Sequence, residues 1–121
     1  MDFTSYLPYI DVADCLKRIG GNKKLLLMML KSFKANPLFP AAYAAALSGD
    51  RAAAQLHMHS LKGVAGNLSL KRLYELTVPV EAVLKTQMPD LKDFGPVKEA
   101  FETTLKYADE LLVYFTSEGA V

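Results

Sequence analysis

The chain has 121 residues, enough for one domain with a core of its own and short of what a second would need. With 51% hydrophobic and 22% charged residues, its composition is that of a folded globular protein and excludes a disordered one. The 14 basic and 13 acidic residues are mixed along the chain and leave a net charge of +1, which argues against nucleic acid as the main partner.

The N-terminal stretch MDFTSYLPYID is acidic and lacks the apolar core of a signal peptide, so a cytoplasmic protein is expected. A first helix is predicted over about 11–19, with Asp11 as N-cap and Gly20-Gly21 as the stop. Cys15 lies at helical spacing in VADCLKRI with no base nearby, and reads as a small apolar helix residue. A lone cysteine forms no internal disulfide and suits a reducing compartment.

Asn22 caps the next predicted helix, which offers Leu25, Leu26, Met29, Leu30 and Phe33 as one broad apolar face. Its run LLLMML falls far short of the ~20 residues that span a bilayer, and no membrane association is expected. Pro37 ends this helix near Asn36, and Pro40 suits the first turn of a third through AAYAAAL.

The junction SGD at 48–50 places Gly49 after one helix and Asp50 as the cap of the next. The fourth helix runs from Arg51 to about Leu68, with Met58, Leu61, Ala65 and Leu68 as its apolar stripe. Ser69 or Leu70 opens a fifth, LKRLYELTVPVEAVLK, in which Pro79 removes a backbone hydrogen bond and should introduce a kink. TQMPDLKDFG is a connector, and a last amphipathic helix covers 95–116 around Val97, Phe101, Leu105, Ala108, Leu112 and Phe115. Strand alternation and internal repeats are missing, so the pattern describes an all-α antiparallel helical bundle.

The fourth helix carries an unusual face. At ~100° per residue, His59, Lys62, Gly63 and Gly66 stand at i, i+3, i+4 and i+7 and share one side, away from the apolar stripe. Each interior glycine costs about 1 kcal/mol against alanine, a sizeable fraction of a stability of ~5–15 kcal/mol. Glycines off the apolar stripe are explained by an external body approaching the histidine more readily than by packing inside the fold.

His57 and His59 stand ~200° apart on the helix and cannot grip one ion, and Lys62 would repel a cation, so no metal site is expected. His57 is read as a structural or surface residue. For His59 a nucleophilic role fits best: neutral imidazole has a reactive lone pair at pH 7, and Lys62 can stabilise charge on a transferring phosphoryl group. No glycine-rich phosphate loop or Mg²⁺-binding carboxylate set accompanies it, so no use of ATP is expected.

HSLKGVAGNL resembles the signature of histidine phosphotransfer (HPt) domains of two-component phosphorelays: His, two residues, Lys-Gly, two or three small residues, then Gly. LKRIGGNKKLLLMMLKSF resembles the upstream helix pair of that family, LSGDRAAA the start of its histidine helix, and LYEL with VEAVL the helix that follows. The resemblance implies an up-down-up-down four-helix bundle with an additional short N-terminal helix, forming a single domain over 1–121. It also implies that His59 is reversibly phosphorylated. The expected partners are receiver domains of response regulators or hybrid histidine kinases.

On the same grounds Lys62 gives electrostatic support, Gly63 and Gly66 leave clearance, and Gln55 is a docking residue. Mg²⁺ belongs to the receiver, no cofactor is expected on this chain, and a monomer is expected. Starting at Met1 with one domain favours a free-standing protein over part of a hybrid kinase. Two residues depart from the family pattern: Ser69 stands where glycine is usual, leaving it as a possible cap, and Pro79 is atypical. Neither touches the histidine face. The alternative function is a non-catalytic helical docking module using the same face; a small hydrolase lacks pocket partners for His59.

Overall fold

Helix boundaries fall where short polar side chains and prolines dictate them. A computed structural model describes residues 2–119, and among these the regular structure is entirely helical. After a 3-10 turn at Thr4–Tyr6, helix α1 spans Val12–Arg18 and α2 spans Lys23–Ala35. The Asp11 carboxylate accepts the Asp14 N–H at 3.0 Å, and Asn22 Oδ1 accepts the Leu25 N–H at 3.0 Å. Between them the chain reverses through Gly20 and Gly21, at φ +67° and +75°.

Helix α3, Leu38–Leu47, follows Pro37 directly, with Pro40 in its first turn. Gly49 (φ +80°) and Asp50, which accepts the Ala53 N–H at 3.0 Å, then launch α4, Arg51–Asn67. Helix α5 is Lys71–Leu84; a 3-10 turn at Leu91–Phe94 leads into α6, Gly95–Ser117. Met1, on which the expectation of a free-standing protein leans, lies outside the described residues.

Helix α3 packs on α4, α4 on α5, α5 on α6, and α6 on α2. Phe33, Phe39 and Phe101 meet in the core with ring centroids 5.5 and 5.8 Å apart, near the spacing at which aromatic edges and faces attract. Met58, Leu61 and Ala65 of α4 are fully buried and Leu68 nearly so, matching the expected stripe.

The phase of two helices differs from expectation. In α2 the core residues are Leu26, Leu27, Leu30 and Phe33, while Leu25 is exposed and Met29 only half-buried. Six consecutive apolar residues offer no polar face to fix the rotation, so packing against α6 decided it. In α6, Ala100, Thr104 and Leu111 take core places while Leu105 and Leu112 sit at the margin. Thr104 enters the core because its hydroxyl donates to the Ala100 carbonyl at 2.6 Å, so no polar group is left bare.

Ser69 does not cap α5. It adopts φ +56° and closes α4: its N–H donates to the Gly66 carbonyl, and the Leu70 N–H donates to the Ala65 carbonyl at 2.9 Å. This is the paired Schellman arrangement that glycine usually completes. The strain of a left-handed serine is offset by two bonds: its hydroxyl donates to Asp14 Oδ2 at 2.6 Å, and its carbonyl accepts the Asp11 N–H at 3.0 Å. Helix α5 starts at Lys71 and runs unbroken through Pro79, which lies on its exposed face. The Glu75 carbonyl, which proline cannot serve, belongs to a residue that is likewise exposed.

Candidate functional site

The antiparallel register of α4 and α5 is pinned at both ends. Arg51 Nη1 donates to the Leu84 carbonyl at 2.6 Å, and the backbone of Gly66 lies against the ring of Tyr74. Between these ends, Glu81 of α5 comes under His59 and Lys62 of α4. His59 Nδ1 stands 2.9 Å from Glu81 Oε1, and Lys62 Nζ donates to the same oxygen at 3.1 Å. Lys85, one turn further along α5, holds its Nζ 3.6 Å from Glu81 Oε2.

Glu81 is the buried centre of this group, its side chain 1% exposed, whereas the His59 side chain is 61% exposed. Burial alone would raise the Glu81 carboxyl. Hydrogen bonds from His59 and Lys62, with the charges of Lys62 and Lys85, outweigh it and hold the carboxyl below its ordinary range. Glu81 is therefore a carboxylate at neutral pH and can only accept hydrogen bonds. It follows that His59 Nδ1 bears the proton it donates. In the neutral ring the lone pair is then on Nε2, at the opposite edge of an exposed side chain.

The face expected from the sequence is assembled. His59 and Gly63 are exposed, Lys62, Gln55 and Gly66 half-buried, and all lie along α4. The two glycines differ. A β-carbon at Gly63 would meet nothing within 4 Å, whereas one at Gly66 would touch Tyr74 Cε2 at 3.5 Å. The Gly66 carbonyl is also engaged by Arg18 Nη1 at 2.9 Å. His57 is half-buried and takes no part in the cluster around Glu81.

The sequence reading missed Glu81, Lys85 and an apolar rim. Leu56, one turn before His59, is 62% exposed, and Tyr74 and Val78 lie exposed one turn apart on α5. A signal for Glu81 was present: it falls on the helix stripe of Leu73, Thr77, Val80 and Leu84, where a charge requires a partner.

A family model described as Hpt domain matches residues 29–111, which begin midway along α2 and end about three quarters of the way along α6. The chain belongs to the Hpt domain family. Comparison with curated proteins and with solved structures gives no match. Hpt domains serve histidine phosphotransfer in two-component phosphorelays and interact with receiver domains. The matched span of this Hpt chain contains the whole His59–Lys62–Glu81–Lys85 group, and none of its described helices is long and apolar enough to cross a membrane. Cys15 lies outside that span, buried, its thiol pushed up chiefly by burial, as fits a packing residue.

Proposed function

We propose that the protein is a phosphorelay intermediate in which His59 Nε2 accepts a phosphoryl group from a receiver's aspartyl phosphate and passes it to another receiver. The observation that carries this reading is the bond from His59 Nδ1–H to the buried Glu81 carboxylate, which commits the exposed Nε2 to bear the lone pair. In the forward step the Nε2 pair attacks phosphorus. The N–P bond forms, the P–O bond to the aspartyl group breaks, and its electron pair leaves with the carboxylate. The Nδ1 proton stays in place, so the positive charge developing on the ring faces Glu81 Oε1 at 2.9 Å. The reverse step runs through the same contacts.

Lys62, beside His59 on α4, gives the transferring phosphoryl oxygens a positive neighbour. Gly63 supplies clearance for the receiver's acidic site, Gly66 a narrower one beside Tyr74, and Gln55 with Leu56 and Val78 forms the surrounding contact rim. Mg²⁺ belongs to the receiver. The fold reading is one domain built as a four-helix bundle, with α2 and α3 sharing the fourth corner beside α4, α5 and α6, and with α1 as the added N-terminal helix. The protein acts as a cytoplasmic monomer. A bare docking module would use the apolar rim, but has no need of a histidine whose tautomer is fixed from below.

The test is transfer from a receiver domain phosphorylated in advance. Wild-type protein should gain acid-labile, base-stable phosphate on His59, and His59→Gln should gain none. Labelling of the glutamine variant at the wild-type rate would overturn the proposal.

A further inference from the structure

Glu81 has more cations around it than one carboxylate needs. Its Oε1 accepts from both His59 and Lys62. Its Oε2 is enclosed and has no hydrogen bond, and Lys85 Nζ at 3.6 Å is the cation that faces it. The two lysines are placed differently: Lys62 is 25% exposed and committed to Oε1, while Lys85 is 58% exposed and stands just beyond bonding distance.

We propose that Lys85 takes over Glu81 when Lys62 moves to the phosphoryl group on His59. The inference rests on the reading that His59 carries that group. With the ring in the neutral form that attacks phosphorus, the cluster before phosphorylation holds one carboxylate and two ammonium groups, for a net charge of +1 by the contacts present. The phosphoryl group on Nε2 carries about −1.5 to −2 charges, offset in part by the positive ring that keeps its Nδ1 proton, and it lies within reach of Lys62, one helical turn from His59. Lys62 cannot neutralise both this group and the carboxylate below it.

If Lys62 left alone, the buried carboxylate would keep one hydrogen-bond donor, the Nδ1–H of the phosphorylated ring, and an enclosed Oε2 with none, an unfavourable state for an ion out of water. Closing Lys85 onto Oε2 to the ~2.8 Å of a charge-assisted bond removes that penalty. The shift is under an ångström for a side chain that is already more than half in water. Lys85 is thus a positioning residue: it touches neither phosphoryl group nor receiver, and acts by keeping Glu81 ionised and bonded to His59 while Lys62 is engaged elsewhere.

The experiment phosphorylates the intact protein with phosphoramidate, following uptake by ³¹P resonance and the lysine ammonium groups by ¹⁵N resonance. In wild-type protein, phosphorylation should move the Lys62 and Lys85 Nζ signals together. In Lys85→Gln, uptake should slow about three- to tenfold, as suits loss of a partly exposed charge contact, and the Lys62 signal should stay where it stood. Lys85→Arg should restore most of the rate, and in a Lys62→Gln background Lys85→Gln should add little. A wild-type Lys85 signal unmoved by phosphorylation, or equal slowing by Lys85→Gln with and without Lys62, would overturn the hand-over while leaving His59 as the phosphorylated residue. Wild-type protein that takes no phosphate on His59, from phosphoramidate or from a receiver, would overturn the phosphorelay reading itself.

Discussion

Two carboxylates tie α4 to its neighbours, and they do so in opposite ways. At the end of α4, Asp14 accepts from Ser69 Oγ at 2.6 Å and pairs with Arg18 Nε at 3.2 Å, while Arg18 also serves the Gly66 carbonyl. The hydrogen bond from Ser69 comes first, and the charge of Arg18 adds to it, in holding the Asp14 carboxyl below its ordinary range. Every partner there is this chain's own, and the cluster is complete. Around Glu81 the donors are again internal, but one of them is a ring whose far nitrogen faces solvent. A closed polar cluster fixes a turn; an open one, on the function proposed, holds a reactive group in readiness.

Substitutions should separate the two clusters. Glu81→Gln should slow transfer roughly ten- to a hundredfold, because the ring loses both its fixed tautomer and its counter-charge, as rapid-quench kinetics with a phosphorylated receiver would measure. Gly63→Leu should slow transfer about tenfold through weaker docking, with the melting temperature unchanged or raised, since a β-carbon there meets nothing in the free protein and leucine is the better helix former. Equal loss of folding stability and transfer in that variant would assign the glycine to packing instead.

Acid titration gives the third comparison. The folded Glu81 carboxyl lies below its ordinary value of 4.5, so the unfolded chain binds more protons in acid. Its contribution to stability is complete above about that pH and is lost as pH falls through the lower folded value. Denaturant titrations from pH 6 to pH 3 should therefore show a shallower loss for Glu81→Gln than for wild type. Smallest is Ser69→Ala, expected to lower stability by about 1 kcal/mol through loss of the bond to Asp14, with transfer unchanged. A transfer defect in that variant would mean the two clusters are coupled.

Much of this was legible in advance because caps are local. Asp11, Asn22 and Asp50 each accept the N–H three residues on, a relation that sequence displays directly. The face of His59, Lys62, Gly63 and Gly66 was likewise a matter of spacing within one helix. Glu81 was not, for it stands 22 residues from His59 and meets it only through the register of α4 against α5. The rotation of α2 was hidden by its unbroken apolar run, which matches several phases equally well. Ser69 was misread because a serine ahead of a helix usually signals a cap, and here the bond to Asp14 makes a left-handed turn acceptable.

Gly63 has a consequence that reaches past this molecule. A methyl group there would touch nothing, and alanine is the better helix former by about 1 kcal/mol, so the folded chain by itself holds no argument for glycine. If a receiver docks there as proposed, the contour of that stretch of α4 is a cast of another surface, and its hollow gives the outline of what sits over His59. Filling the hollow one methylene at a time, from alanine through larger side chains, would gauge the distance of closest approach of a protein not yet in hand.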